Sequence, residues 1–420
     1  MIQHLVETTA KLDYKQLSES LIRTFGVTEA VNWESTLPAA QQQQLFGGEI
    51  LRTVADHPTL ARQHDIRALC WPKGTVSQLL FLFVRLGDNR LPKSQIERIT
   101  RKFIGGLDAE RYTVWFFGNE QQTMLKVVLA GREGKKTVCK TLTLEAGQWY
   151  KTYDYILDTV VAATRPASQG NLFSKGEPSL LWKAIWKAFD ISIVNKKFYA
   201  DIKLAFDSLI TSLAACKGIL TRPEQRVQFA VRLLGRLIFC WFLKKKGIVG
   251  SSALSSATVA EYTNYYHELL EPLFFDVFNT PENARKAGLP ASIAKLRFLN
   301  GGLFEPQTDD CQDNFQLFLP NDWFAGFFGN TLERYNFTVD ENSAINAEIA
   351  IDPEMLGRIF ENLLAEQNPE TGESARNRTG SFYTPREIVD YMVEESLIAY
   401  LGAEYADFVR SEEHTSELQS

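Results

Sequence analysis

Six residues near the C-terminal end of the sequence, Gly380-Ser-Phe-Tyr-Thr-Pro385, are followed by Arg386 and Glu387. Thr384 and Glu387 stand at capping-box spacing, with Pro385 at the first helical position between them. The Thr384 oxygen can accept from the Glu387 N–H while the Glu387 carboxylate reaches back to the Thr384 N–H. The spacing predicts a helix over "PREIVDYMVEESLIAYL" with Ile388, Tyr391, Met392 and Leu397 as its buried face. The positive N-terminal end of such a helix can hold a carboxylate. Phe382 and Tyr383 place flat apolar surface beside that anion-holding end. The competing reading is an ordinary capped helix that binds nothing.

The elements that would position this stretch can be read upstream. In "DPEMLGRIFENLLAE" Asp352 can cap a helix with Pro353 at its first position, and Met355, Ile359, Phe360, Leu363 and Leu364 form its apolar face. "QNPETGESARNRTG" is polar with Gly and Pro, and reads as a loop. From about residue 150 onward, "SLLWKAIWKAF", "KKFYADIKLAFDSLITSLAAC", "TRPEQRVQFAVRLLGRLIFCWFLKKKG" and "TNYYHELLEPLFFDVFN" repeat apolar residues at three and four spacing, which predicts a helical domain. Pro223 near the start of the third of these and Gly247 just past its end are helix punctuation. "LRFLNGGLFEP" reads as a Gly-rich turn packed on the bundle.

Earlier in the chain the pattern is that of strands. "SQLLFLFVRL", "RYTVWFFG", "TMLKVVLAG" and "TVCKTLTLEA" are short and rich in β-branched and aromatic residues. Between the first two, "LPKSQIERITRKF" puts Ile96, Ile99 and Phe103 on one helical face. The expected unit is strand, helix and three further strands, preceded by N-terminal helices.

Length and composition bound these readings. A chain of 420 residues predicts two or three domains, and 45% apolar with 23% charged residues is the balance of a globular protein. A formal charge of −6 supplies no global attraction to a polyanion, so nucleic-acid binding would need a local basic face. Cys70, Cys139, Cys216, Cys240 and Cys311 are widely spaced, which reads as reduced thiols rather than a zinc site. The N-terminus has no apolar signal-like run, and "FAVRLLGRLIFCWFL", interrupted by Arg232 and Arg236, is too short to span a membrane. It predicts a buried helix. The expectation is a cytoplasmic protein with no membrane partner.

The segment "IDPEMLGRIFENLLAEQNPETGESARNRTGSFYTPREIVDYMVEESL" closely resembles the lead into the methyltransferase domain of type IIG restriction-modification enzymes and related adenine-specific DNA methyltransferases. "LLGRLIFCWFLKKKGIV", "LLEPLFFDVFN" and "LRFLNGGLFE" are similar to the helical connector before that domain, so the resemblance covers about half the chain, from Arg226 to Leu397. It implies that Gly380, Phe382, Tyr383, Thr384 and Pro385 contact the methionine end of S-adenosylmethionine. It also implies double-stranded DNA as partner and transfer of a methyl group to the adenine N6 amino group of an extruded base. The family's Asp-Pro-x-x-Gly-x-Gly loop and Asn-Pro-Pro-Tyr loop occur nowhere in the sequence. The chain by itself is therefore expected to be inactive, with no catalytic residue of its own.

Four spans follow from this reading: 1–150 an α/β nuclease-like domain, 151–350 a mainly α-helical connector, 351–409 the start of a Rossmann-like methyltransferase domain, and 410–420 a tail. "RSEEHTSELQS" resembles a sequencing-library adapter translated in frame, and the natural sequence is expected to end near Val409.

The family often carries a PD-(D/E)xK nuclease ahead of the connector, which would use Mg2+ held by carboxylates on adjacent strands. Arg85 stands where an acid is expected, and Asp88, Glu49, Asp56 and Asp65 show no decisive spacing, so a degenerate core that serves in DNA contact or assembly is expected. Candidate phosphate contacts are Lys244, Lys245 and Lys246 at a helix end and Arg98, Arg101 and Lys102 on the helix after "FLFVRL". The first three also suit the negative end of a helix dipole without any partner. The alternatives are a phage-defence methyltransferase that does not cleave, and a non-catalytic DNA-binding or scaffold subunit.

Overall fold

Alternating apolar residues at 80, 82, 84 and 86 give one strand a face that must be covered, and a helix covers it. The computed structural model describes residues 1–27, 66–71, 79–86, 90–105, 112–133, 136–168, 178–216, 219–250, 253–299, 302–310, 312–338 and 346–351, then Pro353, Met355, Gly357, Ile359, 388–389 and 391–402. The chain divides into two units, Met1–Leu356 and Gly357–Ser420.

In the first unit, α1 (Ile2–Glu7) and α2 (Tyr14–Thr24) precede a mixed sheet. Among the described residues the sheet has six strands, in the order β1 (Ile66–Trp71), β2 (Leu79–Leu86), β3 (Tyr112–Asn119), β4 (Met124–Glu133), β5 (Lys136–Glu145) and β6 (Asn346–Glu348). β2 and β3 are parallel, joined by the crossover helix α3 (Lys93–Gly105), and β5 and β6 are parallel; the other pairs are antiparallel. The strand, helix and three strands read from the sequence are β2, α3, β3, β4 and β5. β1 and β6 were not anticipated. Leu80, Leu82, Val84 and Leu86 pack with Ile96 and Ile99 of α3 in one buried cluster, as the alternation of a strand requires.

The opposite face of the sheet receives α2. The Tyr14 hydroxyl, with one proton to donate, lies within hydrogen-bond reach of three acceptors: the Asn119 side-chain oxygen (2.7 Å), the Met124 carbonyl (2.8 Å) and the Asn119 carbonyl (3.0 Å). Its ring lies 5.7 Å from that of Phe83 and covers Gly118 so closely that a Cβ there would stand 2.4 Å from a ring carbon. Glycine is what allows the helix to approach.

The helical part comprises α4 (Lys151–Ser168), α5 (Pro178–Ala188), α6 (Ile191–Ala214), α7 (Pro223–Lys245), the short α8 (Ser256–Val259) and α9 (Asn321–Asn330). It is joined to the sheet rather than set apart from it. Trp182 of α5 stacks on Tyr112 at 5.7 Å, and Lys140 of β5 donates to the Trp186 carbonyl (2.7 Å). The span expected as helical connector also returns to the sheet at its end, as β6.

α7 is buried along most of its length, as its composition predicts. Pro223 opens it, and Gly247, with φ of 74°, closes it. The Ile248 N–H bonds to the Leu243 carbonyl and the Gly247 N–H to the Lys244 carbonyl, a Schellman end. "TNYYHELLEPLFFDVFN" departs from expectation in its winding. Tyr266–Leu270 and Pro272–Phe278 are π-helical, and the Glu271 N–H reaches back five residues to Tyr266. Pro272 has no N–H to continue the tighter ladder, so the chain widens around it.

In the second unit residues 388–389 and 391–402 are helical, in line with the expected helix, but its burial is corrected. Ile388, Tyr391, Met392 and Leu397, expected as a buried face, are 49%, 63%, 58% and 54% exposed. An apolar stripe is buried only when another element lies over it, and periodicity alone supplies no such element. Ahead of it, Met355 and Ile359 are helical and buried, as their spacing predicts.

Candidate nucleic-acid interface and the surrounding charge networks

The two basic helix faces are built differently. On α3, Arg98 is exposed, and Arg101 stands one turn from Glu97 with 3.6 Å between guanidinium and carboxylate. Lys102 belongs to the same helix. At the end of α7 the three lysines take three positions. The Lys244 ammonium donates to the Leu254 carbonyl and lies 4.0 Å from the Trp241 ring centre. Burial pushes its pKa down, against the pull of Glu333. Lys245 lies over the Tyr150 ring at 5.6 Å, and Lys246 is the exposed C-cap. All three sit where the carbonyl end of α7 favours cations. Among the side chains described in the two sets, Lys246 and Arg98 are the exposed ones.

Arg232 and Arg236 read as interruptions of an apolar run, yet they organise the region. Arg236 is 2% exposed; it donates to the Leu303 carbonyl (2.8 Å), the Glu305 carbonyl (3.1 Å) and the Asp310 carboxylate (2.9 Å). Arg232 donates to the other Asp310 oxygen at 2.8 Å. Asp310 also accepts from the Gln307 N–H. Burial alone would raise the Asp310 pKa, but the bonds from Arg236, Gln307 and Arg232 hold it below the usual carboxylate value. The Gly-rich loop of "LRFLNGGLFEP" is thus tied to the middle of α7 by two arginines sharing one acid. Spacing of four between the arginines was the available signal, since residues four apart share a helix face.

A second network lies on the sheet. Lys126 of β4 and Glu348 of β6 approach to 3.7 Å, with both side chains about nine-tenths buried, and the Thr143 hydroxyl donates to Glu348. This pair joins residues more than 200 positions apart, which no local pattern reveals. Arg85 of β2 donates to the Glu120 carbonyl (2.9 Å). Asp88, Glu49, Asp56 and Asp65 lie outside the described residues, as do Gly380, Phe382, Tyr383, Thr384 and Pro385. Among the described residues no three His, Cys, Asp or Glu side chains gather where they could hold a metal, and no helix is long and apolar enough to cross a membrane.

A stretch of 202 residues, 46% of this chain, is 31% identical to a Methanocaldococcus jannaschii protein named as a candidate type II restriction enzyme and methyltransferase. The match spans only 16% of that relative's length. No family model matches the chain, and no solved structure does.

Proposed function

We propose that this chain is part of a restriction-modification enzyme that methylates DNA, and more specifically adenine at N6, of the type IIG kind. The observation that carries the reading is the 31% identity to a protein named for both activities, together with "GSFYTPRE" placed just ahead of a helix that begins by Ile388. S-adenosylmethionine would supply the methyl group. Gly380, Phe382, Tyr383, Thr384 and Pro385 are the residues assigned to its amino-acid end, where a capped helix start offers N–H donors to a carboxylate. The complete activity needs the cofactor-wrapping and base-holding loops, whose motifs this sequence does not contain. Double-stranded DNA is the assigned partner, with Lys246 and Arg98 the best placed of the basic residues for phosphate.

The six-stranded sheet is assigned to a nuclease-like core without a working metal site, acting in DNA contact or assembly. Arg85 supports this, since it occupies the expected acid position and is engaged with a backbone carbonyl. Mg2+ belongs to the reading only if that core cleaves.

The test is to express the gene with its full downstream reading frame in a methylation-free host and sequence the DNA for modified bases. N6-methyladenine in one sequence context, abolished by Tyr383→Ala, is the expected result. Absence of modified adenine with soluble protein present would overturn it. Cleavage of unmethylated DNA in Mg2+ that Asp88→Ala or Glu49→Ala abolishes would overturn the assignment of the sheet.

A further inference from the structure

A cleft of about 340 Å³ opens between the start of α4, one face of α6 and α9. It belongs to none of the residues assigned above. Its α9 wall is aromatic and fixed: the Trp323 indole N–H donates to the Ala205 carbonyl (3.1 Å) and the Ser208 hydroxyl (3.0 Å). The ring stacks on Phe327 at 5.2 Å with the planes 11° apart. Its polar end is fixed as well. One Asp201 oxygen accepts from Lys151 (2.6 Å) and from the Tyr335 hydroxyl (3.0 Å), which holds the carboxylate in place while about a quarter of the side chain stays open. Asp322, exposed in the first turn of α9, adds a second carboxylate to the lining.

The chemistry of these groups selects a ligand class. One ammonium against two carboxylates leaves the lining net negative, which disfavours a phosphate. The volume is at the small end of ligand sites, roughly 300–1,000 Å³, room for a head group together with its stem, so charge rather than size selects the ligand. A pinned indole beside carboxylates suits a flat, delocalised cation, which can lie on an aromatic ring and donate to a carboxylate together. Leu204, 68% exposed at the rim, offers apolar surface to an aliphatic stem.

We propose that this cleft binds a guanidinium group, carried either by a small molecule or by an arginine side chain of a peptide. The charge and the aromatic wall give it preference for guanidinium over a primary ammonium, which cannot stack.

The test follows the Trp323 indole N–H resonance in the full chain during titration with agmatine, with N-acetyl-arginine amide inside a short neutral peptide, and with lysine amide and adenosine monophosphate as comparators. Saturable shifts with a guanidinium compound, at least tenfold weaker with lysine amide, are expected. Tighter binding of agmatine would identify a small-molecule site, and tighter binding of the peptide a docking site for a protein segment. Two variants check the location. Among the described residues and apart from the backbone of its own helix, a Cβ at Gly326 would meet only Asn330 within 4 Å, at 3.8 Å, so Gly326→Leu should fill the cleft without unfolding α9. Asp322→Asn removes an exposed carboxylate. Each should weaken binding at least tenfold with an unchanged circular dichroism spectrum. No saturable shift with either guanidinium compound, shifts unaffected by both variants, or tighter binding of adenosine monophosphate would overturn the proposal.

Discussion

α7 and the helix over 388–402 carry the same kind of sequence, apolar residues at three and four spacing with charged residues between, and they end in opposite circumstances. Leu233, Leu234, Leu237 and Ile238 of α7 are at most 2% exposed, whereas Met392, Leu397, Ile398 and Leu401 are more than half exposed. Composition does not separate them. What separates them is that α7 has a loop tied to it through Arg232, Arg236 and Asp310, so that two of the charges on α7 are paired at the loop. Amphipathic periodicity reports that a helix can be buried; covalently remote partners decide whether it is.

The largest effect that would sharpen this contrast is at Asp310. Asp310→Ala leaves two arginine charges facing each other in a dry site, and should cost about 3–5 kcal/mol, read from urea unfolding of the first unit. Replacing Arg232, Arg236 and Asp310 together by Met, Met and Leu should recover most of that loss. If Asp310→Ala were neutral, the claim that this network fastens the loop would break.

Leu237→Ala, at a site with no exposure, should cost about 2–5 kcal/mol. The chemically identical Leu397→Ala should stay within about 0.5 kcal/mol. Equal costs would erase the contrast between the two helices.

A third prediction concerns the segment packed beside α7. His267 lies between two acceptors, the Glu271 carboxylate on Nδ1 and the Leu317 carbonyl on Nε2 (2.8 Å), so an imidazolium satisfies both. Burial opposes that charge, but the bonds to Glu271 and Leu317, with Glu271 and Asp313 nearby, raise the pKa above its ordinary value. The contribution should be fully present below about pH 6.5 and be lost as pH rises through the raised value. The loss should be roughly 1.5–3 kcal/mol, the size of a hydrogen bond to a charged group. Thermal unfolding between pH 5 and 9 should show it, and His267→Gln should flatten the profile.

The smallest effect distinguishes neighbours at the end of α7. Lys244→Ala removes a bond to Leu254 and a contact with Trp241 and should cost about 1–2 kcal/mol. Lys246→Ala, at an exposed cap, should not change stability measurably. If Lys246 touches phosphate, as the proposed function has it, that variant should instead lower the salt dependence of any DNA binding by about one unit of slope.

Local patterns made much of the fold legible. β2, α3, β3, β4 and β5 follow from alternation, three-four spacing and turn residues, and both ends of α7 follow from Pro223 and Gly247. What escaped the sequence depends on distance. β6 is three residues long and pairs with a strand some 200 residues earlier, and the pairing of Arg232 and Arg236 with Asp310 crosses about 75 positions. Lys244 reads as a surface cation and turns out to be half-buried, because Leu254 comes to it only once α7 has been capped and turned, adding to Trp241 one turn back on the same helix. The helix expected after "GSFYTPRE" was legible from its spacing, since residues 388–389 and 391–402 are helical; the exposure of that helix was not.

The late arrival of β6 carries a consequence for synthesis. The Lys126 ammonium and the free edge of β5 are made early, while Glu348 leaves the ribosome roughly 10–40 seconds later at ordinary elongation rates of about 5–20 residues per second. Through that interval β5 lacks the neighbour that β6 will supply, and Lys126, one strand in from that edge, lacks Glu348; a lysine near an unpaired edge disfavours pairing with strands of neighbouring nascent chains. The native edge strand is the one that brings Glu348 to this lysine, so the charge that disfavours foreign strands also suits the native one.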